Sequence, residues 1–167
     1  KNYNNAIAVA GTHGKTTTTS MLSHIYLAAH RNPTISVGGI LPVINGNIRI
    51  GGKEDFITEA CEYTNSFLKF HPAAGIILNI GADHLDFFKD IDDIRLSFRK
   101  FAELIPADGI LVINSSISNI PYITDNLKCK VEVFGADSPD GYSASGISYD
   151  GNGCGSFEIT RSGIKTG

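Results

Sequence analysis

An apolar run, Ala6-Ile-Ala-Val-Ala10, passes directly into Gly11-Thr-His-Gly-Lys-Thr16, and this junction constrains the fold more than any other stretch of the chain. A run with no polar residue on either alternating face predicts a strand covered on both sides, as strands inside parallel sheets are. After the glycine turn, Lys15 to Ala29 has a helical period that sets Met21, Leu22, Ile25 and Ala29 on one stripe. Strand, glycine turn and helix in this order make a phosphate cradle. Backbone N–H groups of the turn and helix start face the anion, the Lys15 ammonium neutralises β and γ phosphates, and the Thr16 hydroxyl can ligate Mg²⁺. Gly11, Thr12, His13, Gly14, Lys15, Thr16 and Thr17 are therefore the candidate nucleotide-binding residues, with Gly11 and Gly14 letting backbone approach the ligand. Val9 stands where the usual GxxxxGK[ST] pattern has its first glycine, so the assignment rests on the strand-turn-helix context. A helix cap with a solvated Lys15 is the alternative.

Further apolar, β-branched runs recur between segments of helical period. They predict strands at Ile35–Val37, Phe56–Ala60, Gly75–Ile80, Ile110–Asn114 and Val131–Phe134, and a second helix over Ile91–Ile105 that buries Ile94, Phe98, Phe101 and Ile105. The fold class is α/β: a P-loop-type, mostly parallel sheet wound with helices. From Ser138 the chain turns Gly- and Ser-rich, and two alternating runs, Tyr142–Tyr149 and Gly155–Thr160, joined by Asp150-Gly-Asn-Gly153, predict a small carboxyl-terminal β-hairpin. The whole reads as a single domain, residues 1–167. It has a short lead-in before its first strand and ends straight after a strand, the layout of a domain cut from a longer protein.

Composition narrows the partners. A net charge of −3 from 14 basic and 17 acidic residues, without a block of like charge, argues against a nucleic-acid arm or a membrane-surface helix. No apolar stretch reaches the ~18 residues of a membrane span, and no apolar secretory segment follows Lys1 to Asn5, so a cytoplasmic protein is expected. Cys61, Cys129 and Cys154 are odd in number and form no CxxC pair, so they read as reduced thiols.

A magnesium nucleotide needs further oxygen ligands, and Glu59 closes the predicted strand Phe56–Ala60 at the sheet edge where open α/β folds bind ligands. Glu62 competes with it but reads as a surface carboxylate. Asn79, Asp83 and His84 leave the next strand at the same edge. Magnesium prefers hard oxygen donors, so the chemistry of His84 alone fits a hydrogen-bonding or structural residue as well as a ligand. His24, His30 and His71 have no partner at metal-ligand spacing and read as surface or core residues.

Three stretches together, GTHGKTTTT at 11–19, EACEYTNSFLKF at 59–70 and NIGADHLDFF at 79–88, resemble the central ATP-binding domain of the Mur ligases. His13 in the turn is similar to the alanine-adding members, where others more often carry Asn. The resemblance implies that Lys15 and the turn hold the phosphates of ATP. It also implies that Thr16 and Glu59 hold one Mg²⁺ and that His84 holds a second; Asn79, at the same sheet edge, is a further candidate nucleotide contact. Lys15, Glu59 and His84 are then the candidate catalytic residues. Many members have an acidic residue where Cys61 and Thr64 stand here.

The same resemblance implies an ATP-dependent amide ligase of peptidoglycan precursor synthesis, with UDP-N-acetylmuramate and L-alanine as the other substrates. In such enzymes the muramic-acid carboxylate attacks the γ-phosphate, and the resulting acyl phosphate is displaced by the amine. It further implies an amino-terminal domain for the UDP-sugar and a carboxyl-terminal one for the amino acid. Residues that meet adenine then lie beyond Gly167, and the 167-residue chain alone turns nothing over. The murein-peptide recycling ligases, which share GTHGKT, and the folylpolyglutamate synthetases are the nearest alternatives. Recycling ligases tend to carry a longer basic insertion where Ser66 to Pro72 here passes straight into the next strand. A non-catalytic P-loop nucleotide-binding switch is the alternative from another class.

Overall fold

The computed structural model describes residues 3–136, 138 and 141–166. Lys1 and Asn2 of the lead-in, and Asp137, Pro139, Asp140 and Gly167 of the tail, lie outside the described residues. Ten strands form one sheet: β1 (Asn5–Ala10), β2 (Thr34–Leu41), β3 (Gly46–Arg49), β4 (Asp55–Glu59), β5 (Ala74–Ile77), β6 (Ile110–Asn114), β7 (Lys130–Phe134), β8 (Tyr142–Tyr149), β9 (Gly155–Arg161) and β10 (Ile164–Lys165). The helices are α1 (Lys15–Ala28), α2 (Ile91–Glu103) and the short α3 (Ile120–Thr124). The strand order is β10-β9-β8-β7-β6-β5-β1-β4-β2-β3, parallel from β8 to β2, with antiparallel pairs β2/β3, β8/β9 and β9/β10 at the two ends.

Placement of β1 between β5 and β4 builds the functional edge. Val9 lies opposite Glu59 on one side, and Ala10 opposite Ile77 on the other. The segments that follow these three strands, starting at Gly11, Ala60 and Leu78, therefore leave the sheet together at its carboxyl edge. Val9 and Ala10 are fully buried, as a strand covered on both faces requires.

Helix α2 is built as its sequence predicts. Asp90 caps it by accepting from the N–H groups of Asp92 (3.0 Å) and Asp93 (2.9 Å), and Ile94, Phe98 and Phe101 are buried. Their partner is Phe67, from a 3-10 segment at Tyr63–Lys69 after β4; its ring stacks on Phe101 at 5.0 Å and meets Phe98 edge-on at 5.4 Å. At the far end of α1, Arg31 grips the buried Asp55 through Nε (2.9 Å) and a terminal nitrogen (2.8 Å), tying the helix exit to the start of β4.

Three expectations need correction. The apolar stripe of α1 does not face the sheet: Met21 and Ile25 are each 61% exposed, while Thr19 and Ser23 are fully buried. The turn at Gly14 fixes the phase of the helix directly after β1, so small hydroxyl side chains face the strands, and Ser23 satisfies its hydroxyl on the Thr19 carbonyl at 2.7 Å. Strand β5 ends at Ile77 rather than Ile80, because the Asn79 carbonyl leaves the ladder to accept from Thr12 N–H at 3.2 Å. The strand after α1 runs past Val37 to Leu41 and turns back as β3, an edge pair that the Gly-rich sequence around it conceals. The predicted hairpin forms as β8 and β9; the Asp150 carboxylate closes its turn on the N–H groups of Asn152 (2.9 Å) and Cys154 (2.8 Å).

Phe67 is fully buried and joins the segment after β4 to α2. Phe67→Ala is expected to lower the unfolding free energy by about 3 to 5 kcal/mol, measured by urea denaturation. A loss below about 1 kcal/mol contradicts this packing.

Candidate phosphate and metal site

The turn after β1 is held from below by the exit of β5. Asn79 clamps His13 from both sides: its Oδ1 accepts the His13 N–H at 2.8 Å and its Nδ2 donates to the His13 carbonyl at 2.9 Å. Thr12 Oγ1 accepts the Gly81 N–H at 2.8 Å. Asn79 is thus a staple of the loop, its amide engaged by the His13 backbone. Gly11 also serves this junction: a Cβ there would lie 3.0 Å from Leu78 Cβ and 3.2 Å from the Asn79 nitrogen, so the missing side chain admits the β5 exit. Gly14 caps α1 in the left-handed conformation at φ 84°, with no side-chain cap and no acidic residue in the first turn. The helix start is therefore electropositive and open to an anion.

Lys15 Nζ reaches back over the turn to the carbonyls of Gly11 (2.6 Å) and Thr12 (3.3 Å) and to Glu62 Oε2 (3.1 Å). Glu62 is only 2% exposed, so the surface reading of this residue does not hold. It comes to Lys15 because the chain continues from β4 through Ala60 and Cys61 along the same edge, and the Phe67 anchor holds the segment down. Its signal in the sequence is its place three residues after Glu59 in a stretch that then buries a phenylalanine.

Glu59 ends β4 as expected, and its Oε1 accepts the Gly38 N–H at 2.5 Å. Gly38 is required there: a Cβ would stand 2.9 Å from Oε2 and 3.0 Å from Oε1. The adjacent Gly39 lies against Thr16, whose Cγ2 would be 3.4 Å from a Cβ at that glycine. Thr16 and Glu59 thus flank Gly38-Gly39 of β2, a contribution of that strand which sequence reasoning missed.

His84 has a left-handed backbone at φ 55°, with its N–H on Asp83 Oδ1 at 2.7 Å and its ring over Tyr63 at 4.6 Å. The Tyr63 hydroxyl donates to Asp86 at 2.8 Å, which together with the Asp86 charge raises the tyrosine's pKa above its ordinary value. One short stretch, Glu59 to Tyr63, therefore touches β2, the phosphate turn and the His84 loop. His24, His30 and His71 are exposed. Among the described residues no three His, Cys, Asp or Glu side chains converge as a metal cluster. This donor set suits Mg²⁺ only with oxygens from a bound phosphate and water completing the shell, the usual condition for magnesium at nucleotide sites.

Comparison with known proteins accounts for this arrangement. The family model of the Mur ligase middle domain matches residues 9–166. The chain belongs to the Mur ligase family. Among curated relatives of this Mur ligase domain, the UDP-N-acetylmuramate–L-alanine ligase of Lachnospira eligens is 57% identical over 164 residues, covering 98% of the chain and 36% of the relative. The chain therefore spans about a third of the length of the relatives it matches. Of solved structures, UDP-N-acetylmuramate-alanine ligase from Thermotoga maritima has a TM-score of 0.82 at 25% identity, covering 98% of this chain and 36% of that one. The UDP-N-acetylmuramate:L-alanyl-gamma-D-glutamyl-meso-diaminopimelate ligase of Neisseria meningitides has the same TM-score, 0.82, at 24% identity, covering 97% of this chain and 54% of that one. Structural likeness thus shows the fold.

Asn79→Ala removes both side-chain bonds to His13 and leaves the Thr12 bond to the Asn79 carbonyl in place. The expected result is a stability loss of about 1 to 2 kcal/mol, with hydrogen exchange accelerated at the His13 amide and little changed at Thr12. Equal acceleration at both amides contradicts the clamp.

Proposed function

We propose that this domain holds the phosphates of ATP with Mg²⁺ in a cytoplasmic ligase that joins UDP-N-acetylmuramate to L-alanine for peptidoglycan synthesis. The observation that carries the reading is Lys15 at the uncapped start of α1, over a turn locked to the β5 exit, with Glu59 on the Gly38 N–H and Thr16 beside Gly39. The 57% identity to a UDP-N-acetylmuramate–L-alanine ligase supports the alanine-adding branch over the recycling and folate alternatives. The three cysteines are free thiols, as a reducing compartment keeps them, and no described helix is long and apolar enough to cross a membrane.

In this reading the N–H groups of residues 14–16 and the Lys15 ammonium bind and orient the β and γ phosphates, while the N–H groups of Thr12 and His13 stay bonded to Asn79. Thr16 and Glu59 would hold one Mg²⁺ and His84 a second, and the metal supplies charge neutralisation as the γ-phosphoryl moves to the sugar carboxylate. Amide formation by the L-alanine amine follows on groups outside this chain. The work of the chain's own residues is positioning and electrostatics, which is how protein contributes to phosphoryl transfer. Cys61 is exposed and has no nucleophilic part in this scheme.

In the full-length protein, phosphate release should require UDP-N-acetylmuramate, L-alanine and Mg-ATP together. Lys15→Ala should lower kcat/KM for ATP by a factor of about 30 to 1,000, the equivalent of ~2 to 4 kcal/mol of transition-state stabilisation. Values within about threefold of the unsubstituted protein contradict the cradle.

A further inference from the structure

We propose that Glu62 makes nucleotide capture metal-dependent: its buried carboxylate, paired with Lys15, cancels the ammonium charge beforehand, so a nucleoside triphosphate binds well only with a divalent cation. The inference rests on the phosphate-site reading above and goes beyond it in assigning a role to Glu62.

Three observations carry it. First, an ammonium has three N–H groups, and Lys15 directs Nζ at three acceptors, Gly11 O, Thr12 O and Glu62 Oε2. The contact with Thr12 is the longest, at 3.3 Å, and is the one a phosphate oxygen can replace without disturbing the others. Second, Glu62 is 2% exposed, and its Oε1 makes no hydrogen bond among the described residues. A carboxylate this buried keeps its charge only beside a cation, and Lys15 is the cation bonded to it. Third, neither charge is shared out elsewhere: the first turn of α1 carries no acidic residue, and the Glu59 carboxylate is turned to the Gly38 N–H.

The charge balance follows. The phosphate turn offers only backbone N–H dipoles and an ammonium already paired, so its net formal charge from Lys15 and Glu62 is zero. A free triphosphate brings about four negative charges into reach of the buried Glu62 carboxylate and of Glu59, and the repulsion outweighs the partial charges of the helix start. A metal-bound triphosphate brings fewer net charges and places a cation where the carboxylates help. Glu62 thus discriminates between the two forms of the same nucleotide, and the nucleotide enters with the metal its reaction needs.

The test is calorimetric titration of the full-length protein with ATP, once in excess Mg²⁺ and once in EDTA. The unsubstituted protein should bind ATP at least about tenfold more weakly in EDTA. Glu62→Gln preserves shape and an acceptor for Lys15 but removes the charge. Its affinity for metal-free ATP should rise about tenfold or more, while its Mg-ATP affinity changes less than about threefold. In the Lys15→Met/Glu62→Gln variant the metal-free gain should disappear, because no ammonium is left to be unmasked. A merely structural Glu62 would weaken both forms together. The proposal is overturned by equal affinities of the unsubstituted protein with and without Mg²⁺, or by an unchanged ratio in Glu62→Gln. The first comparison needs no variant, so a misfolded Glu62→Gln does not protect the idea. Absence of ATP binding even with Mg²⁺ would overturn the phosphate-site reading, and this inference with it; Mg-ATP binding with an unchanged ratio would overturn the inference alone.

Discussion

The Lys15 ammonium can satisfy three acceptors, and the fold delivers all three from two different strand ends. Two are carbonyls of its own turn, and the third is a buried carboxylate from the segment after β4. That convergence depends on β1 lying between β5 and β4, with Val9 beside Glu59 and Ala10 beside Ile77. A sheet with β1 at an edge would bring one neighbour to the turn and not both. The parallel arrangement, the short β5 and the Phe67 anchor under α2 all act to bring the carboxylates and the ammonium to one place.

The site is more rigid than a glycine-containing loop suggests. Asn79 fixes His13, Gly81 fixes Thr12, and Gly11 packs against the β5 exit. Glu59 is aimed by the Gly38 N–H, and His84 lies on Tyr63, itself held by Asp86. Such fixed donors cost little reorganisation when charge arrives, the condition under which electrostatic stabilisation is strongest. The His84 side differs in character: Asp83 and His84 side chains are 45% and 32% exposed, with Nδ1 of His84 3.9 Å from Asp83. Glu59 lies against Gly38 and Thr16 against Gly39, whereas His84 belongs to a separate aromatic cluster with Tyr63 and Phe87.

Much of this was legible in the sequence where local chemistry decides structure. The run Ala6–Ala10 and the turn after it, the Asp90-capped helix and the Asp150 hairpin each carry their signal in adjacent residues. Glu59 was placed by its position at a strand end. What could not be read depends on contacts distant in sequence. Glu62 looks like any exposed carboxylate until Lys15, 47 residues away, is folded onto it. The clamp of Asn79 on His13, 66 residues away, is likewise invisible until the chain is folded. The outward stripe of α1 failed for another reason: a helix launched rigidly from a strand takes its phase from the turn, and Thr19 and Ser23 fit the narrow gap that larger side chains cannot.

The most direct test of the central claim is a crystal structure of the full-length protein with Mg²⁺ and a non-hydrolysable ATP analogue. The account predicts β and γ phosphate oxygens within hydrogen-bond distance of Lys15 Nζ and of the backbone N–H groups of residues 14–16. It also predicts a metal ion joining those oxygens to Thr16 and Glu59, and Glu62 still on Lys15. Phosphates bound elsewhere contradict it, for example in the cavity of about 180 Å³ lined by Tyr3, Ala6, Phe56, Thr58, Phe70 and His71, with the Lys15 contacts to Gly11 and Thr12 unchanged.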